Sequence, residues 1–193
     1  IRLMDKAEAK QLYHFDSGRP VLAILGGSQG SVPFNRHFQK HLEKYIESNI
    51  QILWQCGKKD YSELKYLSRH KDIHIIPFTE NIDVFYSAAD LIVSRSGALA
   101  LSEMALLGKA MVLIPLPHSA GDHQTINAQT FSKTGGAVLV HQASLASGTL
   151  ENTVLELIQD TQKIANMEVN SKKRGIPNAT EDITTIIMQI AAG

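Results

Sequence analysis

The sequence predicts an α/β fold in which helices cover both faces of one parallel sheet. From residue 21 onwards, six short runs rich in β-branched residues alternate with segments of helical periodicity. Such alternation is typical of parallel strands joined by crossover helices. The strand runs are almost continuously hydrophobic, as strands buried on both faces must be. We therefore predict a Rossmann-like, doubly wound parallel sheet of about six strands.

The predicted elements follow one another in a regular order after a polar opening. The predicted strands cover residues 21–25, 50–55, 73–78, 91–94, 111–114 and 138–140. The predicted helices cover residues 33–47, 60–69, 82–87, 99–107, 123–133, 150–159, 162–173 and 181–192. Gly108 and the pair Gly135–Gly136 end two of these helices. Asp60 and Glu63 have the spacing of a capping box, which predicts the start of the second helix.

Length and composition exclude several classes of protein. The 193 residues form one predicted domain, residues 1–193, with 19 basic and 19 acidic side chains. This balance provides no basic surface for nucleic acid, so we expect no nucleic-acid partner. No apolar run approaches the roughly 20 residues that span a membrane. The chain starts at Ile1 without a signal-peptide core, and we expect it to be a fragment of a longer protein.

Two residues that attract attention are predicted to belong to the core. The single cysteine, Cys56, stands at the end of a buried strand and cannot form an intrachain disulfide. Packing is a better explanation for it than nucleophilic chemistry. Trp54, two residues earlier, is also predicted to be core.

Ligands of such sheets bind beside the carboxyl ends of the strands, where helix N-termini present free N–H groups. The first loop at this edge is Gly-Gly-Ser-Gln-Gly, residues 26–30. Gly27 lets an anion approach the backbone closely, and Ser28 adds a hydroxyl. The loop matches neither the Walker A motif nor the dinucleotide fingerprint. By itself, it fits a phosphate site and a tight turn equally well.

The second loop follows the fourth strand and opens a helix at Ala98 and Leu99, whose N–H groups form another candidate anion site. Glu103 lies about one turn inside this helix, where a carboxylate can accept both hydroxyls of a ribose. For a lone glutamate, interaction with the helix N-terminus is the commoner explanation. Phe78 and Thr79, after the third strand, can flank a base, although core packing explains Phe78 better when it is considered alone.

The third loop precedes a helix for which Asp122 is a good N-cap. Gln124 and Asn127 are three residues apart on one face of this helix, and paired amides suit sugar hydroxyls. His118 and His123 have no third ligand at a usual spacing, so we predict no metal site. One edge of the predicted sheet thus carries two candidate anion sites, a carboxylate for a diol and an amide pair. Together, these features predict a nucleotide-sugar site.

Four segments, in order, resemble the C-terminal half of the MurG family. They are residues 26–30, residues 54–58 (Trp-Gln-Cys-Gly-Lys), residues 95–103 with Arg-Ser-Gly-Ala-Leu, and residues 122–128 with Asp-His-Gln and Asn-Ala. The late segment 176–180 is similar to the family's C-terminal region, so the resemblance covers the whole chain. The family consists of bacterial GT-B glycosyltransferases, which transfer N-acetylglucosamine from UDP to lipid I and thereby form lipid II.

The resemblance implies that this chain holds the UDP-N-acetylglucosamine donor. It implies that Gly27 and Ser28 contact the diphosphate and that Ala98 and Leu99 contact the phosphates or the sugar. Phe78 and Thr79 would flank the uracil, and Glu103 would bind the ribose. Gln124 and Asn127 would contact the sugar hydroxyls, and Arg2 would correspond to an arginine of the interdomain linker near the donor. Ala100 replaces a threonine that is frequent in the family. The implied reaction is inverting and needs no cofactor, and the absence of Asp-x-Asp from the chain agrees with a site that works without a metal.

The resemblance also implies what this chain does not supply. The catalytic base, which the sequence does not identify, and the contacts to lipid I would belong to an absent N-terminal domain. The whole enzyme would work peripherally at the cytoplasmic face of the bacterial plasma membrane. We therefore expect the fragment to be soluble and inactive alone.

Two other functions remain open from the sequence. Another UDP-sugar transferase, similar to galactolipid synthases or to the subunit that makes dolichol-linked N-acetylglucosamine, would favour a different sugar or acceptor. A non-catalytic nucleotide-binding module would bind UDP without regard to the sugar. An NAD-dependent dehydrogenase is disfavoured because the glycine fingerprint differs.

Overall fold

A six-stranded parallel sheet forms the centre of the structure, a computed structural model that describes residues 1–192. The strands are β1 (Val21–Leu25), β2 (Gln51–Gln55), β3 (Ile73–Ile76), β4 (Leu91–Ser94), β5 (Met111–Leu113) and β6 (Ala137–Leu139). Their order is β3-β2-β1-β4-β5-β6, and all neighbours are parallel. This confirms the predicted fold class. Gly193, the last residue of the predicted domain, lies outside the described residues.

Helices connect the strands and complete the chain. They are α1 (Lys6–Leu12), α2 (Val32–Glu47), α3 (Lys58–Leu64), α4 (Ile82–Ala88), α5 (Ala98–Leu107), α6 (His123–Lys133), α7 (Thr149–Gln159), α8 (Thr161–Lys172) and α9 (Ala179–Ala192). Short 3-10 helices cover Lys65–Arg69, Ala120–Asp122 and Gln142–Ser147. Within residues 1–192, no helix is both long enough and apolar enough to cross a membrane.

The hydrophobic core is divided by the sheet into two parts. Along β1, Leu22 and Ile24 point into the layer that contains α2 and α7, whereas Ala23 and Leu25 point into the layer that contains α4 and α5. All five residues of β1 are buried. A strand covered on both faces explains why this run is hydrophobic at every position and not at alternate ones.

The strand order creates a switch point between β1 and β4. From β1 the chain continues to β2 on one side of the sheet, and from β3 it crosses to β4 on the other side. Loops that leave the carboxyl ends of β1 and β4 therefore diverge, which leaves a crevice between them. The fold places the candidate loops 26–30 and 95–97 at this crevice.

The structure differs from the predictions at two helix starts. The opening segment is a helix, α1, which Asp5 caps by accepting the Glu8 N–H at 3.0 Å. The predicted capping box at Asp60 and Glu63 is wrong, because α3 already begins at Lys58. Asp60 lies inside the helix and accepts a hydrogen bond from Asn35 Nδ2 at 2.7 Å. The Asp60 carboxylate therefore pairs with Asn35 of α2 and does not cap its own helix.

Two glycines allow the loops after β1 and β2 to touch through their backbones. Gly30 has φ +77° and Gly57 has φ +89°. A Cβ atom on Gly30 would lie 2.1 Å from the Cys56 carbonyl oxygen, and one on Gly57 would lie 2.5 Å from the Gln29 carbonyl oxygen. Larger residues therefore meet both backbone strain and a collision. This contact holds the 26–30 loop against the end of β2.

At the opposite edge of the sheet, Asp90 anchors the amino end of β1. Its carboxylate accepts the Val21 N–H at 2.8 Å and forms ion pairs with Lys6 and Lys10, each at 2.8 Å. Burial alone raises the pKa of Asp90, but the hydrogen bonds from Lys10 and Lys6 outweigh it and lower this pKa below its usual value. Asp90 thereby fastens α1 to the sheet.

We expect Gly57→Ala to lower the free energy of unfolding by about 3 kcal/mol or more, since the backbone must move to relieve the contact. Gly148→Ala is the matched control, because Gly148 has φ +77° but no atom within 4 Å of its would-be Cβ. That variant is expected to lose only roughly 1–2 kcal/mol, the cost of a left-handed residue. Urea unfolding of both variants measures the difference, and equal losses would mean that the loop contact contributes nothing.

We expect Asp90→Asn to destabilise the fold by about 2–3 kcal/mol at neutral pH, because the buried Lys10 loses its charged partner. The folded-state pKa of Asp90 is depressed, so its contribution is complete above the unfolded pKa and is lost as the pH falls towards the folded one. Urea unfolding between pH 7 and pH 3 should therefore show the gap between wild type and variant closing. The exposed Asp83→Asn is the control, and a pH-independent gap would contradict the ion-pair account.

Candidate functional site

A groove runs along the carboxyl edge of the sheet, over the switch point. It consists of two adjoining cavities of about 610 and 650 Å³. Both are lined by Leu25, Gly27, Ser28, Gly97 and Ala100, so they form one continuous depression between the loops after β1 and β4. The first cavity extends towards the loop after β3, and the second extends towards the loop after β5.

Two helices point uncapped N-termini at this groove. The helix α2 begins after Ser31 and α5 begins after Gly97, and neither residue caps its helix with a side-chain hydrogen bond. Neither helix carries an acidic residue in its first turn. The free N–H groups at Ala98 and Leu99 belong to the start of α5, as predicted. Helix N-termini of this kind attract anions through their N–H groups and their dipoles.

Arg95 adds a full positive charge to the same groove. Its Nη1 donates to the carbonyls of Ile114 and Pro115 at 3.1 and 3.0 Å. Its Nη2 donates to Ser31 Oγ at 3.0 Å and to Gln142 Oε1 at 2.6 Å. Burial lowers the pKa of Arg95 to about 10, which leaves the guanidinium charged at neutral pH.

None of the described partners of Arg95 is a carboxylate, so its charge is held in place by neutral oxygens. The guanidinium also lies over the Phe34 ring, 4.5 Å from its centroid. An uncompensated, half-buried cation beside two helix N-termini favours an anionic ligand. Arg95 belongs to one of the motifs of the family resemblance, but its role in the groove is not among the predictions from the sequence. The available signal was a basic residue in the turn immediately after a buried strand.

A buried glutamine braces the loops on the other side of the switch point. Gln55, at the end of β2, donates from Nε2 to the Gly27 carbonyl at 3.0 Å and accepts the Thr79 N–H at 2.9 Å. Its side chain is almost fully buried. Gln55 therefore links the loops after β1 and β3 across the groove.

The first cavity combines an aromatic surface with a carboxylate. Phe78 is 44% exposed and lines this cavity beside Thr79, so the core-packing explanation for Phe78 is wrong. Glu103 also lines it and accepts a hydrogen bond from the Tyr86 hydroxyl at 3.1 Å. Burial, followed by the Glu103 charge, raises the pKa of Tyr86, which remains a donor and orients the carboxylate.

The two amides after β5 do not line the same cavity. Gln124 lines the cavity around Arg95, and its Oε1 accepts the Leu116 N–H at 3.0 Å. Asn127 lines a neighbouring cavity of about 440 Å³ behind α5, and its Nδ2 donates to the Ser96 carbonyl at 3.1 Å. Both amides also stabilise the loops around them, and their contacts to a sugar stay a prediction.

The N-cap prediction for the same helix is only partly confirmed. Asp122 occupies the N-cap position of α6, but it makes no side-chain hydrogen bond to the helix backbone. Its carboxylate instead accepts the Thr125 hydroxyl at 2.7 Å. The φ of Asp122 is +52°, a conformation that belongs to the tight turn with Gly121.

The structure does not bring Arg2 to the groove. Arg2 is exposed and is not among the residues that line the cavities of this edge. Two residues later, the Met4 N–H donates to Ser87 Oγ at 3.0 Å in the last turn of α4. Ile82, at the start of α4, lines the groove, whereas Ser87 lies at the other end of this helix. The hydrogen bond to Ser87 therefore holds the first residues of the chain away from the groove.

The core predictions for Trp54, in β2, and Cys56, just after it, are confirmed. Trp54 is fully buried and donates from Nε1 to Asn35 Oδ1 at 3.1 Å. Cys56 is buried, and this burial raises the pKa of its thiol to about 11. A thiol with such a pKa is a poor nucleophile at neutral pH.

The comparison with family models decides what kind of domain this is. The model of the glycosyltransferase family 28 C-terminal domain matches residues 21–183, which contain the whole sheet and its edge loops. The chain belongs to this family.

Individual relatives agree with the family assignment. The UDP-N-acetylglucosamine–N-acetylmuramyl-(pentapeptide) pyrophosphoryl-undecaprenol N-acetylglucosamine transferase of Flavobacterium psychrophilum is 36% identical over 183 residues, covering 95% of this chain and 50% of that protein. The protein of the same name from Finegoldia magna is 34% identical over 182 residues, covering 93% and 49%. The crystal structure of Acinetobacter baumannii MurG superposes with a TM-score of 0.75 at 29% identity, covering 89% of this chain and 52% of that one. The chain thus spans about half the length of these relatives.

We expect Arg95→Gln to abolish measurable binding of inorganic pyrophosphate to the groove, because Arg95 is the only lysine or arginine among the described residues that line its two cavities. Arg95→Lys keeps the charge but cannot reach four acceptors at once, so we expect intermediate binding. Both variants should lose about 1–3 kcal/mol of stability through the unpaired carbonyls.

Calorimetric titration with pyrophosphate, together with urea unfolding, separates the two effects. The exposed Arg36→Gln, on α2, is the control for charge. If Arg95→Gln bound pyrophosphate as well as wild type does, the helix N-termini alone would account for anion binding.

Proposed function

We propose that this chain is the donor-binding half of an inverting glycosyltransferase. The reaction moves N-acetylglucosamine from UDP-N-acetylglucosamine to the 4-hydroxyl of lipid I, undecaprenyl-pyrophosphoryl-MurNAc-pentapeptide, and forms lipid II for peptidoglycan. The observation that carries the proposal is the groove at the switch point, where two uncapped helix N-termini and Arg95 meet the Glu103 carboxylate. Membership of family 28 and the names of relatives that are 34–36% identical support the choice of donor.

The donor would lie along the groove with its base in the first cavity. The uracil would lie between Phe78 and Thr79, and Glu103 would accept the ribose hydroxyls. Tyr86 supports this role because it holds one carboxylate oxygen from behind. An aromatic surface next to an oriented acid is the combination that a nucleoside needs.

The diphosphate would cross the switch point. Gly27 and Ser28 line both cavities there, and the N–H groups of Ala98 and Leu99 would face the phosphates from α5. The sugar would extend towards Gln124, and Asn127 would contact it from the adjoining cavity behind α5. Arg95 lies on the phosphate path, between the two helix N-termini.

The chemistry of the proposed reaction needs stabilisation of the leaving group above all. The acceptor 4-hydroxyl attacks the anomeric carbon from the face opposite UDP, the C–O bond to the β-phosphate breaks, and the hydroxyl proton passes to a base. Negative charge then grows on the diphosphate oxygens. Helix dipoles and the guanidinium of Arg95 favour this charge without rearranging during the reaction. The base and the acceptor contacts would come from the half of the enzyme that this chain does not cover.

The remaining parts of the proposal concern the whole enzyme. Its relatives are about twice as long as this chain, and a second domain would close over the donor and bind lipid I. Because lipid I is a membrane lipid, the complete enzyme would work at the cytoplasmic surface of the bacterial plasma membrane as a peripheral protein. The chain described here would bind the donor but would not turn over by itself.

Calorimetric titration of the chain with UDP-N-acetylglucosamine, UDP-galactose and UDP tests the proposal. We expect the N-acetylglucosamine donor to bind best. Glu103→Gln should weaken all three ligands by roughly 10–100-fold, as expected for losing a charged hydrogen-bond acceptor. Gln124→Ala should weaken only the sugar-containing ligands.

The neighbouring exposed residue provides the control, since Ser102→Ala changes the same helix turn without touching the carboxylate. A preference for UDP-galactose would instead identify another UDP-sugar transferase. Equal binding of all three ligands would identify a nucleotide module that ignores the sugar. UDP binding that Glu103→Gln leaves unchanged would overturn the assignment of the ribose site.

A further inference from the structure

A buried carboxylate lies between two histidines on the face of the sheet that carries α2 and α7. Glu151, in the first turn of α7, is only 1% exposed. Its Oε1 lies 3.0 Å from His41 Nδ1, and its Oε2 lies 3.3 Å from His37 Nε2. Both histidines belong to α2. None of these three residues lines the donor groove.

The polar atoms of this cluster are not satisfied by hydrogen bonds. Neither oxygen of Glu151 has a hydrogen-bond partner in the described part of the chain, and neither does His37 Nε2. The contacts to the rings are short enough for ion pairs but lack hydrogen-bond geometry. Within residues 1–192, no lysine or arginine forms an ion pair with Glu151.

Burying an ionised carboxylate costs several kcal/mol unless a positive charge compensates it. The N-terminus of α7 contributes part of that charge. A protonated imidazole or a bound cation can supply the rest. The arrangement of the donor atoms distinguishes these possibilities, because a cation needs all of them to converge on one point.

The three donor atoms lie close together. His37 and His41 are four residues apart on one helix and therefore share a face, the spacing found in helical zinc motifs. Their nitrogens and the Glu151 carboxylate all lie within 4.8 Å of one another. Two imidazoles and one carboxylate form a common three-ligand set for Zn²⁺.

The surroundings of the cluster also resemble those of a metal site. Leu145, in the 3-10 helix Gln142–Ser147, is buried, and this 3-10 helix packs against both α2 and α7. The side chain of His41 is 18% exposed, so an ion can reach the cluster from solvent.

We propose that His37, His41 and Glu151 bind a Zn²⁺ ion that joins α2 to α7. The ion lies along α2, away from the groove at the N-terminus of that helix. By binding His37 and Glu151, the ion supplies partners for buried polar atoms that have no hydrogen bonds. It thereby fixes α2, which follows Ser31 and the 26–30 loop. The site does not depend on the proposed glycosyl transfer.

The test uses the chain after treatment with EDTA and dialysis, titrated with ZnCl₂ in the calorimeter. We expect one Zn²⁺ per chain. At a free Zn²⁺ concentration about 100 times the dissociation constant, the Tm should rise by roughly 5–10 °C. MgCl₂ should not bind, because Mg²⁺ prefers an all-oxygen set.

Variants of each ligand locate the site. We expect each of three substitutions, His37→Gln, His41→Gln and Glu151→Gln, to weaken Zn²⁺ binding by about 100-fold or more. This loss is larger than the one expected from removing a residue that only contacts a ligand. His41→Gln is the decisive variant, since His41 is half-buried and its replacement leaves the core intact. Far-ultraviolet circular dichroism checks that each variant is folded.

His141→Gln is the matched control, because this histidine is exposed and precedes the same 3-10 helix as Leu145. It should bind Zn²⁺ as wild type does. Absence of Zn²⁺ binding by folded wild type would overturn the proposal. So would equal losses in His41→Gln and His141→Gln, and both results would leave protonated histidines as the partners of Glu151.

Discussion

The position of β1 between β2 and β4 is the constraint on which the rest of the structure depends. Because the chain leaves this strand in one direction and later returns on the other side, the loops after β1 and β4 cannot cover each other. A crevice therefore forms at their carboxyl ends. Contacts between the surrounding loops hold the sides of this crevice in place. Gly30 and Gly57 bring two loops into backbone contact, and Gln55 braces the loop after β3.

The electrostatic character of the groove comes from two helix N-termini and one side chain. Two helix N-termini without acidic first turns supply partial positive charge, and Arg95 supplies a full one. The protein holds that guanidinium with carbonyl, hydroxyl and amide oxygens, none of which cancels its charge. The result is a site that favours an anion, with the Glu103 carboxylate at one end of it.

The helix α2 links this groove to the opposite layer of the core. Its N-terminus is fastened by the hydrogen bond between Ser31 and Arg95, and its first turn carries Asn35, which contacts both Trp54 and Asp60. Further along the same helix, His37 and His41 meet Glu151 of α7. A single helix thus connects the ligand edge, the end of β2 and the C-terminal helices. The geometry of the 26–30 loop therefore depends on packing that lies well away from it.

The sequence by itself determined the sheet, its parallel character, the edge loops and the family resemblance. Hydrophobic runs, glycine positions and short motifs are encoded within a few consecutive residues, and the strand bounds agree with prediction to within two residues at each end. Only the tertiary structure decided which side chains meet across the fold. It exposed Phe78, separated Gln124 from Asn127, gave Asp60 to Asn35, and directed the start of the chain away from the groove. It also placed Glu151 beside histidines more than a hundred residues earlier. These outcomes depend on contacts between distant segments, and no local pattern carries that information.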